Sequence, residues 1–285
     1  MKIEKIVSFG DSFIFGTEIE NNENGELAWP GIAAKEMGLE YETLAIPGCG
    51  NESITRQIFE YFSKNSKENV LAIINWTWKM RWDYPVDTMT DKWTGLGPTC
   101  VPSKLDEFFN LRDCNEIIQF YKKYIDENDH FNIFRSLVSI HSAQSYLIQN
   151  NIPNVQTMID HTILNNNNNE IDLEFYNAIK DSTWPVCNSS EEINTLPTYI
   201  LEELNDVLER ESSFPWIEEM RKIIKKNIKS FPENMSFLEW AQHNQFDITK
   251  EGRHPLLEAH TAAADYWIEK YKELIQKHER QELNS

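Results

Sequence analysis

An α/β domain built on a parallel sheet is the fold class that this chain of 285 residues predicts. Three observations carry the prediction. Short apolar runs rich in β-branched residues alternate with stretches of helical spacing, the pattern of strand–helix–strand units. The clearest run, Val70 to Asn75, is almost unbroken, as a strand buried on both faces requires. The first run begins almost at the N-terminus and stops at Gly10, where chemistry-bearing residues follow at once.

Each element has its own reason. Ile3 to Phe9 reads as the first strand. Trp29 to Met37 has helical spacing through Trp29, Ile32, Ala33 and Met37, with Pro30 suited to a first turn. Tyr41 to Ala45 is a second strand, ending at Pro47-Gly48. Glu52 to Lys64 sets Ile54, Ile58 and Phe62 on one helix face. After the Val70 strand the pattern breaks, and residues 76–130 are aromatic-rich without a clean period. His130 to Gln149 is helical, Pro153 to Met158 is a strand, and Asn165 to Asn169 is a solvated loop tip. Glu218 to Ile228 and Pro255 to Gln276 are further helices. No internal repeat or linker divides the chain. We read residues 1–285 as one domain with an aromatic-rich insertion at about 76–130 and a helical one at about 165–235. Long excursions of this kind are usually functional rims or lids.

Composition narrows the function. Lys and Arg number 27 and Asp and Glu 46, a formal net charge of −19. This disfavours nucleic acid, whose phosphates need clustered cations, and anionic membrane surfaces. No apolar run is long enough to span a bilayer, and the N-terminus lacks the pattern of a signal peptide. The four cysteines, Cys49, Cys100, Cys114 and Cys187, show no paired spacing. A disulfide framework or zinc site is not expected. These features predict a cytoplasmic protein without metal or cofactor. A homo-oligomer is compatible with them.

Two constellations carry chemistry. In the first, Asp11-Ser12 directly follows the first strand, at the carboxyl end of the sheet where open α/β folds bind ligands. A helix starting there would set backbone amides beside a nucleophilic hydroxyl. A plain turn or helix cap is the simpler use of the same residues. In the second, Glu251-Gly252-Arg253-His254-Pro255 precedes the last helix. His254 could serve as base, with Glu251 or Asp247 fixing its tautomer. His260, six residues on, suits packing or hydrogen bonding. Asp160-His161 also ends a strand, but two ligands do not make a metal site.

These residues resemble a known family. Phe9-Gly10-Asp11-Ser12-Phe13 with Gly16 is similar to the first block of the SGNH, or GDSL, hydrolases, and Glu-x-x-His-Pro to their last, usually Asp-x-x-His. Ala45 to Asn51 resembles the second block, with Gly48 the best match for its amide donor and Gly50 behind it. The resemblance implies a three-layer α/β/α sandwich around a five-stranded, flavodoxin-like, mostly parallel sheet. It implies Ser12 as nucleophile, His254 as base and Glu251 as acid. Oxyanion donors would be the amides of Ser12 and Gly48, with Thr77 or Asn75 in place of the family's third-block Asn. Asp11, Asn75, Trp76, Trp78 and Arg81 are candidate substrate contacts. The implied activity is hydrolysis of an ester, first of all a small acyl group such as O-acetyl on a carbohydrate. The altered third block supports a contrasting reading, a catalytically impaired module that binds a glycan or serves an assembly. A nucleotide binder lacks the glycine-rich cradle.

Overall fold

A computed structural model describes residues 3–87, 92–96, 111–126, 129–164, 185, 192, 195–202, 215–250 and 253–282. Strands β1 (Lys5–Phe9), β2 (Glu40–Thr43), β3 (Val70–Trp76) and β6 (Asn154–Met158) form a parallel sheet in the order β2-β1-β3-β6. The sheet thus has four strands, one fewer than the resemblance implies. At the position of a fifth, one parallel bridge joins Ile228 to Gln156, and Lys229 N donates to Gln156 O at 2.7 Å. The chain turns away at Phe231 to pair antiparallel with Met235, so the ladder is not extended.

Two helical layers cover the sheet because the strands alternate sides. Ile6, Leu71, Ile73 and Val155 face α1 (Ser12–Phe15), α2 (Trp29–Glu36), α7 (Phe237–His243) and α8 (Leu257–Glu282). Val7, Phe9, Ala72, Ile74 and Trp76 face α3 (Asn51–Lys64), α5 (Asp129–Gln149) and α6 (Pro215–Lys225). The result is the α/β/α sandwich expected.

The excursion after β3 is more regular than its sequence. It holds an antiparallel hairpin, β4 (Trp82–Asp87) with β5 (Lys92–Leu96), and helix α4 (Leu111–Tyr121). The 165–235 insertion lies largely outside the described residues; α6, near its end, packs on α5. No helix of the described residues is long and apolar enough to cross a membrane.

Candidate active site

Ser12 opens α1 directly beyond the carboxyl end of β1. Gly10 is required by close approach: a Cβ there would lie 3.1 Å from Asn75 O and from Ile14. Asp11, not Ser12, caps the helix, its Oδ1 accepting from Phe13 N at 3.0 Å. Capping therefore leaves the Ser12 hydroxyl unused, and Ser12 is 4% exposed.

Asp11, next to Ser12, is fully buried. Its Oδ2 accepts from Arg81 Nη1 at 2.6 Å and from Thr77 Oγ1 at 2.7 Å. Arg81 Nη1 also reaches Thr77 Oγ1 at 2.7 Å and Cys49 O at 3.5 Å. Asp11, expected as a substrate contact, thus holds Arg81 and Thr77. Thr77, expected as an oxyanion donor, has both of its donors engaged. Its hydroxyl proton goes to Asp11, and its amide donates to Asn51 Oδ1 at 2.9 Å.

Asn75, the other third-block candidate, differs. Its Oδ1 accepts from Thr157 Oγ1 at 2.7 Å, while its buried Nδ2 has no partner among the described residues. An orphaned buried donor is costly and asks for an explanation. Trp76, expected as a possible substrate contact, lies away from Ser12's layer. It is wholly buried in the opposite layer, and its indole donates to Gln156 Oε1 at 3.0 Å. Trp78 and Arg81 remain partly exposed.

The second-block loop presents Gly48 in the left-handed region at φ 84°, with open space where a side chain would stand. Its amide makes no hydrogen bond among the described residues. The Gly50 amide is instead consumed by Asp83 Oδ1 at 2.8 Å. Asp83 Oδ2 also accepts from Ser53 N at 2.7 Å, so a residue of β4 caps α3 and ties the two loops together. Sequence reading missed this residue, since nothing in its neighbourhood has a period.

Burial pushes the Asp83 carboxyl from 3.8 up to about 6, against the pull of the two amides. Folded Asp83 holds its proton to higher pH than unfolded Asp83, so its contribution to stability is present at low pH and is lost as pH rises through about 6. Between about pH 4 and pH 7, denaturant titrations should show wild type losing roughly 2 to 3 kcal/mol relative to Asp83→Asn. A constant difference, or one of opposite sign, would contradict the assignment.

His254 lies in a clasp closed by the Ile248–Pro255 bridge. Thr249 N donates to His254 O at 3.0 Å, and His254 N to Thr249 Oγ1 at 3.0 Å. The imidazole packs on Phe13, the neighbour of Ser12, with ring centroids 5.1 Å apart. The fold thus brings His254 to the turn that carries Ser12. Among the described residues no hydrogen bond joins it to Ser12 Oγ; such bonds commonly tighten when substrate binds. Nδ1 lies 2.7 Å from Glu18 Oε2, a residue the sequence did not single out. Glu251 lies outside the described residues. The Asp247 side chain is exposed, and its carbonyl accepts from Leu256 N at 3.0 Å.

His260 is a structural residue, as expected. Its Nδ1 accepts from Trp29 N at 3.0 Å, and burial pushes its pKa down to about 3. Asp160 caps the turn after β6 through Thr162 N at 3.1 Å and also accepts from Lys79 N at 3.1 Å. Among the described residues no cluster of three or more acidic, His or Cys side chains could hold a metal, and Cys49 is a free, buried thiol.

No protein-family model and no curated protein sequence matches this chain. It is similar to solved GDSL-family lipolytic proteins. One is a member of that family from Veillonella parvula DSM 2008, at 12% identity and a TM-score of 0.40, covering 93% of this chain and 97% of that one. A lipase from a goat rumen metagenome is 11% identical with a TM-score of 0.41, covering 92% and 94%. An acetyl xylan esterase from the rumen bacterium Butyrivibrio proteoclasticus is 9% identical with a TM-score of 0.41, covering 97% of this chain and 65% of that one.

Proposed function

We propose that the protein is a serine hydrolase of esters, with Ser12 as nucleophile and His254 as general base. The observation that carries this reading is the convergence of His254 on the Ser12 turn, with Nδ1 held by a carboxylate and Nε2 left to move a proton. Ser12 Oγ adds to the ester carbonyl as its proton passes to Nε2. The amides of Ser12 and Gly48 and the orphaned Nδ2 of Asn75 are the donors for the oxyanion. Collapse of the tetrahedral intermediate breaks the bond to the alcohol, which leaves with the proton from His254. Water, deprotonated by the same imidazole, then attacks the acyl-enzyme and releases the acid.

A small acyl group on a neutral carbohydrate is the substrate class we favour. The partly exposed Trp78 and Trp82 beyond β3 suit stacking on a sugar face, and the net charge of −19 disfavours acidic substrates. Initial rates on 4-nitrophenyl esters of rising chain length and on acetylated xylo-oligosaccharides test this. Acetyl esters should be cleaved fastest, and Asn75→Ala should lower kcat by roughly a hundredfold or more. Preference for long acyl chains would overturn the substrate class. Glycan binding by folded protein without any hydrolysis would assign it instead to the impaired binding module.

A further inference from the structure

We infer that Glu18, on the nucleophile's own loop, is the positioning carboxylate of His254, in place of an acid from the histidine's loop. This deepens the serine-hydrolase reading and rests on it. Glu18 Oε2 lies 2.7 Å from His254 Nδ1 and accepts from Thr249 Oγ1 at 2.5 Å. Thr249 Oγ1 in turn accepts from the His254 amide, so a single hydroxyl fixes both the carboxylate and the backbone that carries the imidazole. A carboxylate on Nδ1 holds the proton there and leaves Nε2 as the acceptor for a serine proton.

Stability alone does not account for the pair. The Glu18 side chain is 36% exposed and that of His254 14%, so water reaches the contact and weakens what it adds to folding. Yet backbone strain is spent on both sides of the contact. Glu18 has φ 70° and Arg253 φ 53°, left-handed values that disfavour residues with side chains. The short helix α1 ends at Gly16 with φ 72°, which turns the chain back and delivers Glu18 toward Thr249 and His254.

The test compares wild type, Glu18→Gln, Glu18→Asp and Glu251→Gln as folded full-length chains. With a 4-nitrophenyl ester as probe, Glu18→Gln should lower kcat by roughly a hundred- to ten-thousand-fold, because an amide permits the wrong tautomer. KM should stay within about threefold, since uniform binding is not touched. Glu18→Asp should recover part of the loss, and Glu251→Gln should stay within a few-fold of wild type. Proton NMR should show a downfield His254 Nδ1–H resonance in wild type that is absent from Glu18→Gln. Near-wild-type kcat in Glu18→Gln, or the loss appearing in Glu251→Gln instead, would overturn the assignment. If wild type turns over no ester, the hydrolase reading fails, and the NMR signal still decides the Glu18–His254 pair: its persistence in Glu18→Gln would overturn it.

Discussion

Replacing Ser12 by Ala should lower ester turnover by roughly a millionfold and leave the fold intact. The magnitude follows from removal of the one atom that forms the acyl bond, after which water must attack unaided apart from the oxyanion donors. The intact fold follows from the local structure. Had the serine been the helix cap, its loss would cost about 1 kcal/mol. Here Asp11 takes that role through Phe13 N, and the Ser12 backbone carbonyl accepts from Gly16 N, a bond Ala preserves. Thermal melts of Ser12→Ala should overlay those of wild type while progress curves go flat. Retained turnover would place the nucleophile elsewhere.

Arg81→Met should be the most damaging single change away from the reacting atoms. Asp11 has no exposure at all, and Arg81 is its cationic partner at 2.6 Å. Removing one member of a buried pair strands the other, typically at 3–5 kcal/mol. A loss of about that size should appear in denaturant titrations, with a melting point lower by roughly 10 °C for a chain of this size. Activity should fall too, since Arg81 also holds Thr77 and touches the Cys49 carbonyl beside Gly48. Adding Asp11→Asn to Arg81→Met should return part of the stability, because a neutral amide is far less costly to bury. An Arg81→Met variant as stable as wild type would show that the pair does not govern the turn.

The sheet was legible because its strands are nearly pure apolar runs. Val70–Trp76 is buried throughout, and its neighbours declare themselves by the same pattern. The hairpin Trp82–Asp87 with Lys92–Leu96 escaped because β4 carries Pro85 and a register shift that erase any alternation. The fifth strand of the resemblance failed at Ile228, where one bridge is all the ladder holds.

Within the site, motif residues were easy to name and hard to assign. Trp76 could have been placed correctly, since Ala72, Ile74 and Trp76 share a face by strict alternation. Thr77 could not, because its fate depends on Asp11 and Arg81, which meet it only in three dimensions. Glu18 was hidden by distance along the chain, 236 residues from His254. Its one sequence signal was an acidic side chain a short turn beyond the nucleophile, past a glycine able to reverse the chain.

Covalent labelling tests the central claim most directly. A fluorophosphonate reacts with an activated serine whatever the natural substrate. Mass spectrometry of the digested adduct should place the phosphonyl group on Ser12, with labelling lost in Ser12→Ala and strongly slowed in His254→Ala. A folded protein that takes no label, or takes it at another residue, would contradict the account.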